Sequence, residues 1–396
     1  MKILVFTNLY PNIHNPNLGV FIRNRTVALS QFPDVEIKVV APVPWFPPIR
    51  ISEKWYQFSQ IPEKEVIDGI EVYHPRYLVT PKIGMSFYGY WMLLGVRQLI
   101  RRIHKEFPFD LIDAHFLYPD SYAACLLGEQ FACPVVVTAR GSDVTCYTQI
   151  DSIESHIKKT FQNAEHLIAV SNSLRDIMVV HGAVAEKVSV VSNGIDPERF
   201  YLLEKERARE KLGFQEGVTN ILSVCSLVKL KGVHLLIEAL SQLKNLTAQS
   251  FKLFVVGSGP EESRLKSLID QFELQNQVQL VGKVPNVDLI DWYNAADLFF
   301  LGSSREGWPN VVCESLACGT PVVATAVNGI PEILNSEELG IMVKRTPEDF
   351  ARGILQAYNR AWDRQYIAGK GQQRTWENVA NEVHELFSRV LSNAKN

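Results

Sequence analysis

Short β-branched runs alternate with helical stretches along nearly the whole chain, in two successive series. The first series occupies 2–10, 35–43, 69–77, 110–116, 134–140, 166–171 and 187–193; the second occupies 221–228, 251–259, 278–284, 297–303 and 321–327. Several runs are continuously apolar, as strands covered on both faces must be. Helical patterns separate them, such as GVHLLIEALSQL, where Leu235, Leu236, Ala239 and Leu240 form one apolar stripe. Strand and helix in alternation dictate parallel sheets with helices on both faces, so the predicted class is α/β with two Rossmann-like, doubly wound domains. With 396 residues, 46% of them hydrophobic, the chain can bury two such cores. The segment SNGIDPERF (192–200) is a breaker cluster between the two series. It sets the predicted domains at 1–193 and 194–375, followed by an amphipathic helix over 376–396. The stripe of that helix is Trp376, Val379, Ala380, Val383, Leu386, Phe387 and Val390.

Several classes drop out on composition. A formal charge of −3 and the lack of a charge run exclude a nucleic-acid partner. None of Cys125, Cys133, Cys146, Cys225, Cys313 and Cys318 forms C-x-x-C or a zinc-like cluster, which predicts buried free thiols in a reducing compartment. The start, MKILVFTNLY, reads as a first strand rather than a signal peptide. No run approaches 18 apolar residues, so no membrane span is expected and the predicted location is cytoplasmic.

Sheets of this kind bind ligands at the carboxyl ends of their strands. Asn8 to Gly19, His115, Arg140 to Asp143, Gly257 to Gly259 and Gly302 to Asn310 all fall there. In SSREGWPNVVCESLACGTPVVAT (303–325), Pro309 suits a first helical turn and Gly319 a C-terminal stop. Glu306 then precedes a helix and Glu314 lies about a turn and a half inside it. A carboxylate accepts from two neighbouring hydroxyls, which suits sugars and ribose, and the helix start adds free N–H groups. Spacing alone leaves a second reading open: two solvated glutamates on a surface helix.

The full wording goes further. EGWPNVVCESLACGTPVVA resembles the E-x7-E segment of family 4 retaining glycosyltransferases of the two-domain GT-B fold. YPNIHNPNLGVF, FDLIDAHF, TARGSDV, VVSNGIDPERF, KLKGVHLLIEAL, FVVGSGPEE and WYNAADLFFLGSSREGWPN extend the resemblance over most of the chain. It implies two domains facing across a cleft, with the C-terminal helix packing back on the first. It further implies a hexose-type transfer from a UDP- or GDP-sugar to a glycan or lipid-linked acceptor, in the manner of bacterial surface-polysaccharide and teichuronic-acid enzymes. Carried over, Glu306 faces the transferred sugar, Lys231 neutralises the donor diphosphate and His115 stands near donor sugar and acceptor. Glu314 holds the ribose; Gly19, Gly257 and the backbone at Trp308, Asn310 and Val311 shape the donor site.

Three positions depart from the family pattern. Ser226 stands where an Arg is usual, and Lys229 is the nearest substitute in sequence. Arg140 replaces a His before Gly-x-Asp; it either binds an anionic acceptor or phosphate, or pairs with Asp143. Asn328 replaces a Gly, and Asn tolerates positive φ. The chain contains no D-x-D, so metal-independent, cofactor-free transfer with retention is expected, driven by charge stabilisation of the departing phosphate. The segment 82–107 mixes aromatics with Arg97, Arg101, Arg102 and Lys105. It is either a core helix with a basic exit end or a peripheral contact with the inner face of the cytoplasmic membrane. Two other functions stay open beside transfer: a nucleotide-sugar epimerase of the same shape, and a glycan-binding scaffold.

Overall fold

The computed structural model describes residues 1–50, 52–80 and 84–394. Lys82 and Ile83, which open the aromatic and basic segment, and Lys395 and Asn396 of the C-terminal segment lie outside the described residues. The chain forms two compact units, Met1–Asn193 with Trp376–Asn396, and Gly194–Thr375.

The first unit is built on β1 (Lys2–Phe6), β2 (Glu36–Val40), β3 (Val43–Pro44), β4 (Lys64–Ile67), β5 (Ile70–Tyr73), β6 (Arg76–Tyr77), β7 (Leu111–His115), β8 (Val135–Ala139), β9 (His166–Ala169) and β10 (Val188–Val190). Its main sheet runs β10-β9-β8-β7-β1-β2-β5-β4, while β3 and β6 pair separately. All neighbours in the main sheet are parallel except β4, which is antiparallel to β5. The exception comes from Asp68-Gly69, both at positive φ, the tight-turn chemistry that folds a strand back on itself. The helix Trp376–Asn393 buries all seven residues of its stripe in this unit's core, beside Ile3, Ile22 and Leu29.

The second unit contains β11 (Thr219–Val224), β12 (Phe251–Val256), β13 (Val278–Gly282), β14 (Leu298–Leu301), β15 (Val322–Thr325) and β16 (Gly340–Val343). They run β13-β12-β11-β14-β15-β16, all parallel. The strands alternate cleanly between two cores. Leu222, Val224, Phe254, Phe299 and Leu301 pack to one side; Ile221, Leu253, Val255, Leu298 and Phe300 pack to the other. Each such side chain taken from water stabilises the unit by about 1.5–3 kcal/mol. The strand list expected from sequence omitted β4 and β16, both short and at sheet edges.

Strand order reverses between β11 and β14 in the second unit, and between β1 and β7 in the first. Loops leaving adjacent strands diverge at such a point and open a crevice at the carboxyl ends. Each unit places its distinctive polar residues there.

Candidate active site

In the second unit, β11 leads through Cys225 and Ser226 into a single 3-10 turn, Lys229–Lys231, and then into the helix Val233–Leu246. Gly232 ends the turn at φ +73°, where a Cβ would stand 2.2 Å from the Gly302 carbonyl oxygen. Gly257, after β12, sits at φ +138°, where a Cβ would meet the Cys225 carbonyl oxygen at 1.9 Å. Only glycine permits these approaches, and they draw the loops after β11, β12 and β14 together.

Lys231 and Glu306 meet at that convergence. Lys231 Nζ donates to Glu306 Oε1 at 2.5 Å, and Ser303 Oγ donates to the same oxygen at 2.5 Å. Both side chains remain partly open, 20% and 10% exposed. The Glu306 backbone N–H donates to Asn328 Oδ1 at 3.1 Å. Asn328 takes φ +44°, so its turn survives the loss of the family's glycine.

The helix Asn310–Ala317 begins one residue later than the sequence suggests. Pro309 is not in the first turn; its ψ of 97° takes it out of the helical region, and its carbonyl accepts the Val312 N–H. Trp308 and Val311 pack half-buried against the core. Glu314 has a different setting from Glu306. The hydroxyl of Tyr293, wholly buried, donates to Glu314 Oε2 at 2.8 Å. Burial pushes the Glu314 carboxyl above its ordinary range, while the Tyr293 hydroxyl and the Arg199 charge pull it back. Ser226 and Lys229 are both exposed.

In the first unit, Gly19 caps the helix Val20–Leu29 at φ +62°, where a Cβ would lie 2.0 Å from the Leu9 carbonyl oxygen. His115 ends β7 fully buried, between two guanidiniums. Arg25 Nη2 contacts both Asp113 oxygens at 2.6 Å and lies 3.0 Å from His115 Nε2. Arg140 Nη2 lies 2.7 Å from His115 Nδ1, and Arg140 Nη1 donates to Asn193 Oδ1 at 3.0 Å. The shorter contact decides the tautomer: the Nδ1 lone pair faces Arg140, and Nε2–H faces Asp113 Oδ2 at 3.4 Å. Burial, with the two guanidiniums, drives His115 down to about 3, so the ring is neutral. Asp113 is held far below the usual carboxylate range against that same burial by Arg25 and His115.

Asp143 does not meet the Arg140 guanidinium. Its carboxylate accepts the backbone N–H groups of Leu117, Arg140 and Gly141 at 3.0, 3.0 and 2.7 Å. The Arg140 side chain instead crosses the Phe21 ring at 5.2 Å, and its Nε has no hydrogen-bond partner among the described residues. Nearby, Asp120 is pushed up to about 8 by complete burial and accepts the Asn8 N–H.

The structure therefore joins Lys231 to Glu306, His115 to Arg140, and Gly257 to the Ser226 loop. Arg25, Asp113, Tyr293 and Ser303 were not expected from the sequence. Arg25 falls on the buried stripe Ile22, Arg25, Thr26 and Leu29, and Asp113 interrupts the apolar strand β7. A charge on each of two apolar patterns was a legible sign of a buried pair. Cys125 and Cys318 are buried and the other four cysteines half-buried, all as free thiols. Among the described residues no group of three or more His, Cys, Asp or Glu is placed to hold a metal ion. Among them, too, no helix is long and apolar enough to cross a membrane.

The profile of the family described as Glycosyl transferases group 1 matches residues 204–374, and that of Glycosyltransferase Family 4 matches 55–199. The chain is 31% identical to a putative teichuronic acid biosynthesis glycosyltransferase of Bacillus subtilis (strain 168), across 100% of this chain and 96% of that protein. It is 29% identical to a putative colanic acid biosynthesis glycosyltransferase of Escherichia coli (strain K12), over 64% of this chain and 62% of the relative. In fold it is similar to a sucrose-phosphate synthase from Thermosynechococcus elongatus, with TM-score 0.80, 18% identity and 99% of both chains covered. It is likewise similar to Anabaena Alr3699/HepE in complex with UDP, with TM-score 0.75, 20% identity, and 98% and 100% covered.

Proposed function

The chain belongs to the family 4, group 1 glycosyltransferases of the GT-B fold, and from that premise we propose that it moves a hexose-type sugar, with retention, from a UDP- or GDP-sugar to a glycan or lipid-linked acceptor of a surface polysaccharide. The teichuronic and colanic acid relatives support the acceptor class, and the UDP-bound Anabaena neighbour makes UDP-sugars the first donors to test.

The observation that carries the reading is the Lys231–Glu306 pair at the strand-order reversal of the second unit. An ammonium bound to a partly open carboxylate can change partners. A donor diphosphate takes over Lys231, and Glu306 is released to accept sugar hydroxyls. Glu314, held by Tyr293, accepts from the ribose. The start of the helix at Asn310 and Val311 adds positive potential to the phosphate side. As the C1–O bond to the diphosphate breaks, charge grows on the departing phosphate, where Lys231 stabilises it without a metal. The acceptor oxygen bonds C1 on the same face and passes its proton to that phosphate. In the first unit, Arg140 offers a cation to an anionic acceptor.

A panel of UDP-, GDP- and ADP-sugars tests this by release of free nucleotide and the anomeric configuration of the product. Full turnover by Glu306→Ala or Lys231→Ala would refute the assignments. An isomerised donor replaces transfer with the epimerase reading, and absence of turnover and nucleotide binding leaves the scaffold.

Peripheral membrane contact belongs to the same proposal. On the helix Tyr88–Glu106 and the turn before it, exposed Phe87, Tyr90 and Leu94 continue into exposed Arg97, Arg101 and Lys105 along one face. Such a stripe suits an anionic bilayer bearing a lipid-linked acceptor. Failure to float with anionic vesicles sinks this part alone.

A further inference from the structure

Lys231 stands on a turn that cannot hold itself. The segment Lys229–Lys231 is three residues of 3-10 helix, closed by Lys231 N–H to Val228 O at 2.9 Å and Gly232 N–H to Lys229 O at 3.3 Å. So short a piece has poor internal bonding and no cooperativity, so its geometry depends on outside contacts. One is the Ser304 N–H, which donates to the Leu230 carbonyl at 2.9 Å. Beside the Lys231–Glu306 ion pair, the others come from Arg345, which follows β16 two strands away from β14. Arg345 Nε donates to Gly302 O at 2.9 Å, and Nη2 donates to Lys229 O at 3.1 Å and lies 3.5 Å from Leu230 O. One planar guanidinium thus bridges the loop that carries Lys231 and the loop that carries Glu306. Among the described residues no carboxylate pairs with it. Burial lowers its pKa from the ordinary arginine value, yet the charge stays on at neutral pH.

We propose that Arg345 is a positioning residue for diphosphate binding: it clamps the 229–231 turn against the 302–306 loop, so that Lys231 is already aimed when the donor arrives. Ser226 makes this clamp matter more in this chain. With Ser226 in place of the family's usual Arg, the grip depends more heavily on how Lys231 is aimed. The guanidinium fork is suited to the task because Nε and Nη2 point in fixed directions, and a lysine at 345 could reach one loop but not brace both.

The proposal rests on the reading of Lys231 as the diphosphate ligand, and the test separates the two. Calorimetric titration of the full chain compares whichever of UDP, GDP or ADP the wild type binds with the matching nucleoside. Arg345→Met weakens diphosphate binding about tenfold, the equivalent of one charge-assisted hydrogen bond, and leaves nucleoside binding within about twofold. Arg345→Lys recovers part of the loss. In the Lys231→Ala background, Arg345→Met has no further effect on the diphosphate, because the clamp has nothing left to aim. Equal losses for nucleoside and diphosphate, or additive losses in the double variant, overturn the clamp and leave the donor site standing. Wild-type affinity in Lys231→Ala, or no nucleotide bound by the wild type, overturns the donor reading itself and the clamp with it. Thermal melting of Arg345→Lys and Arg345→Met confirms that the proteins compared are folded.

Discussion

Acidification from pH 8 to pH 5 should cost the first unit stability through His115. Burial and the flanking guanidiniums hold this ring at about 3, against an ordinary 6.5 in the unfolded chain. Between those values the unfolded chain binds one proton more than the folded one. Stability is therefore fully present above pH 6.5 and is lost as the pH falls toward the folded value, at a limiting slope of about 1.4 kcal/mol per pH unit. Integrated from pH 8 to pH 5, one histidine contributes a loss of about 2 kcal/mol. Carboxylates of the unfolded chain scarcely titrate in this window, but in the folded unit buried Asp120, held at about 8, takes up a proton on acidification and acts in the opposite direction. His156 and His166 of the first unit are also lowered by burial and act in the same direction as His115. A variant is needed to isolate His115.

His115→Asn is suited to that purpose. The asparagine oxygen can replace Nδ1 as the acceptor for Arg140, while the titratable group disappears. Because the chain has two compact units, a single melting temperature mixes two transitions. Hydrogen exchange of β1 and β7 amides, measured against urea at pH 8, 7, 6 and 5, reads the first unit by itself. The variant should be less stable at pH 8 yet lose about 2 kcal/mol less than wild type on reaching pH 5. Equal losses in both proteins, or a His115 resonance titrating near 6.5, would show that the ring is not held neutral in this network.

Three further outcomes follow from the second unit. Tyr293→Phe removes the hydroxyl bond to Glu314 and should weaken donor binding by about 1.5–3 kcal/mol, seen as a raised donor KM; an unchanged KM would separate Glu314 from the ribose. Gly257→Ala forces a Cβ onto the Cys225 carbonyl at φ +138° and should cost about 2–4 kcal/mol, read as lost exchange protection in β11 and β12. Ser226→Arg adds a cation at an exposed position beside the Lys231 turn and should tighten nucleoside diphosphate binding roughly threefold to tenfold; unchanged affinity would place 226 away from the phosphates.

Much of the fold was legible because its signals are local. Continuous runs such as VVVTA and KILVF name strands covered on both faces, and Trp376 to Val390 keep one helical face. The misses have local causes as well. β4 was missed because Asp68-Gly69 was not taken as a turn, and β16 is only four residues long. Glu306, Lys231 and Glu314 were legible only through the wording around them, since spacing does not distinguish them from solvated side chains. Tyr293 and Arg345 were beyond reach for another reason. They act across sequence distances of 21 and 116 residues on partners that only the sheet order brings near. No periodicity records such a pairing.

The two strand-order reversals also differ in what their charges can do. The Lys231–Glu306 pair is partly open, so water and ligand oxygens can replace either partner at modest cost. The Arg25–Asp113 pair and His115 are closed, with 2% exposure at most, and removing one partner would leave a bare buried charge. An exchangeable pair suits a group that must bind and then release a diphosphate. A closed network suits a group that must stay fixed while substrates come and go, and its one outward branch is Arg140, pinned by His115 and Asn193. On this division His115 is expected to work through Arg140 rather than on a substrate. If that division holds, His115→Asn, which keeps an acceptor for Arg140, should preserve most turnover, while His115→Leu, which removes it, should lose turnover together with the orientation of Arg140. Equal activity in the two variants would refute it.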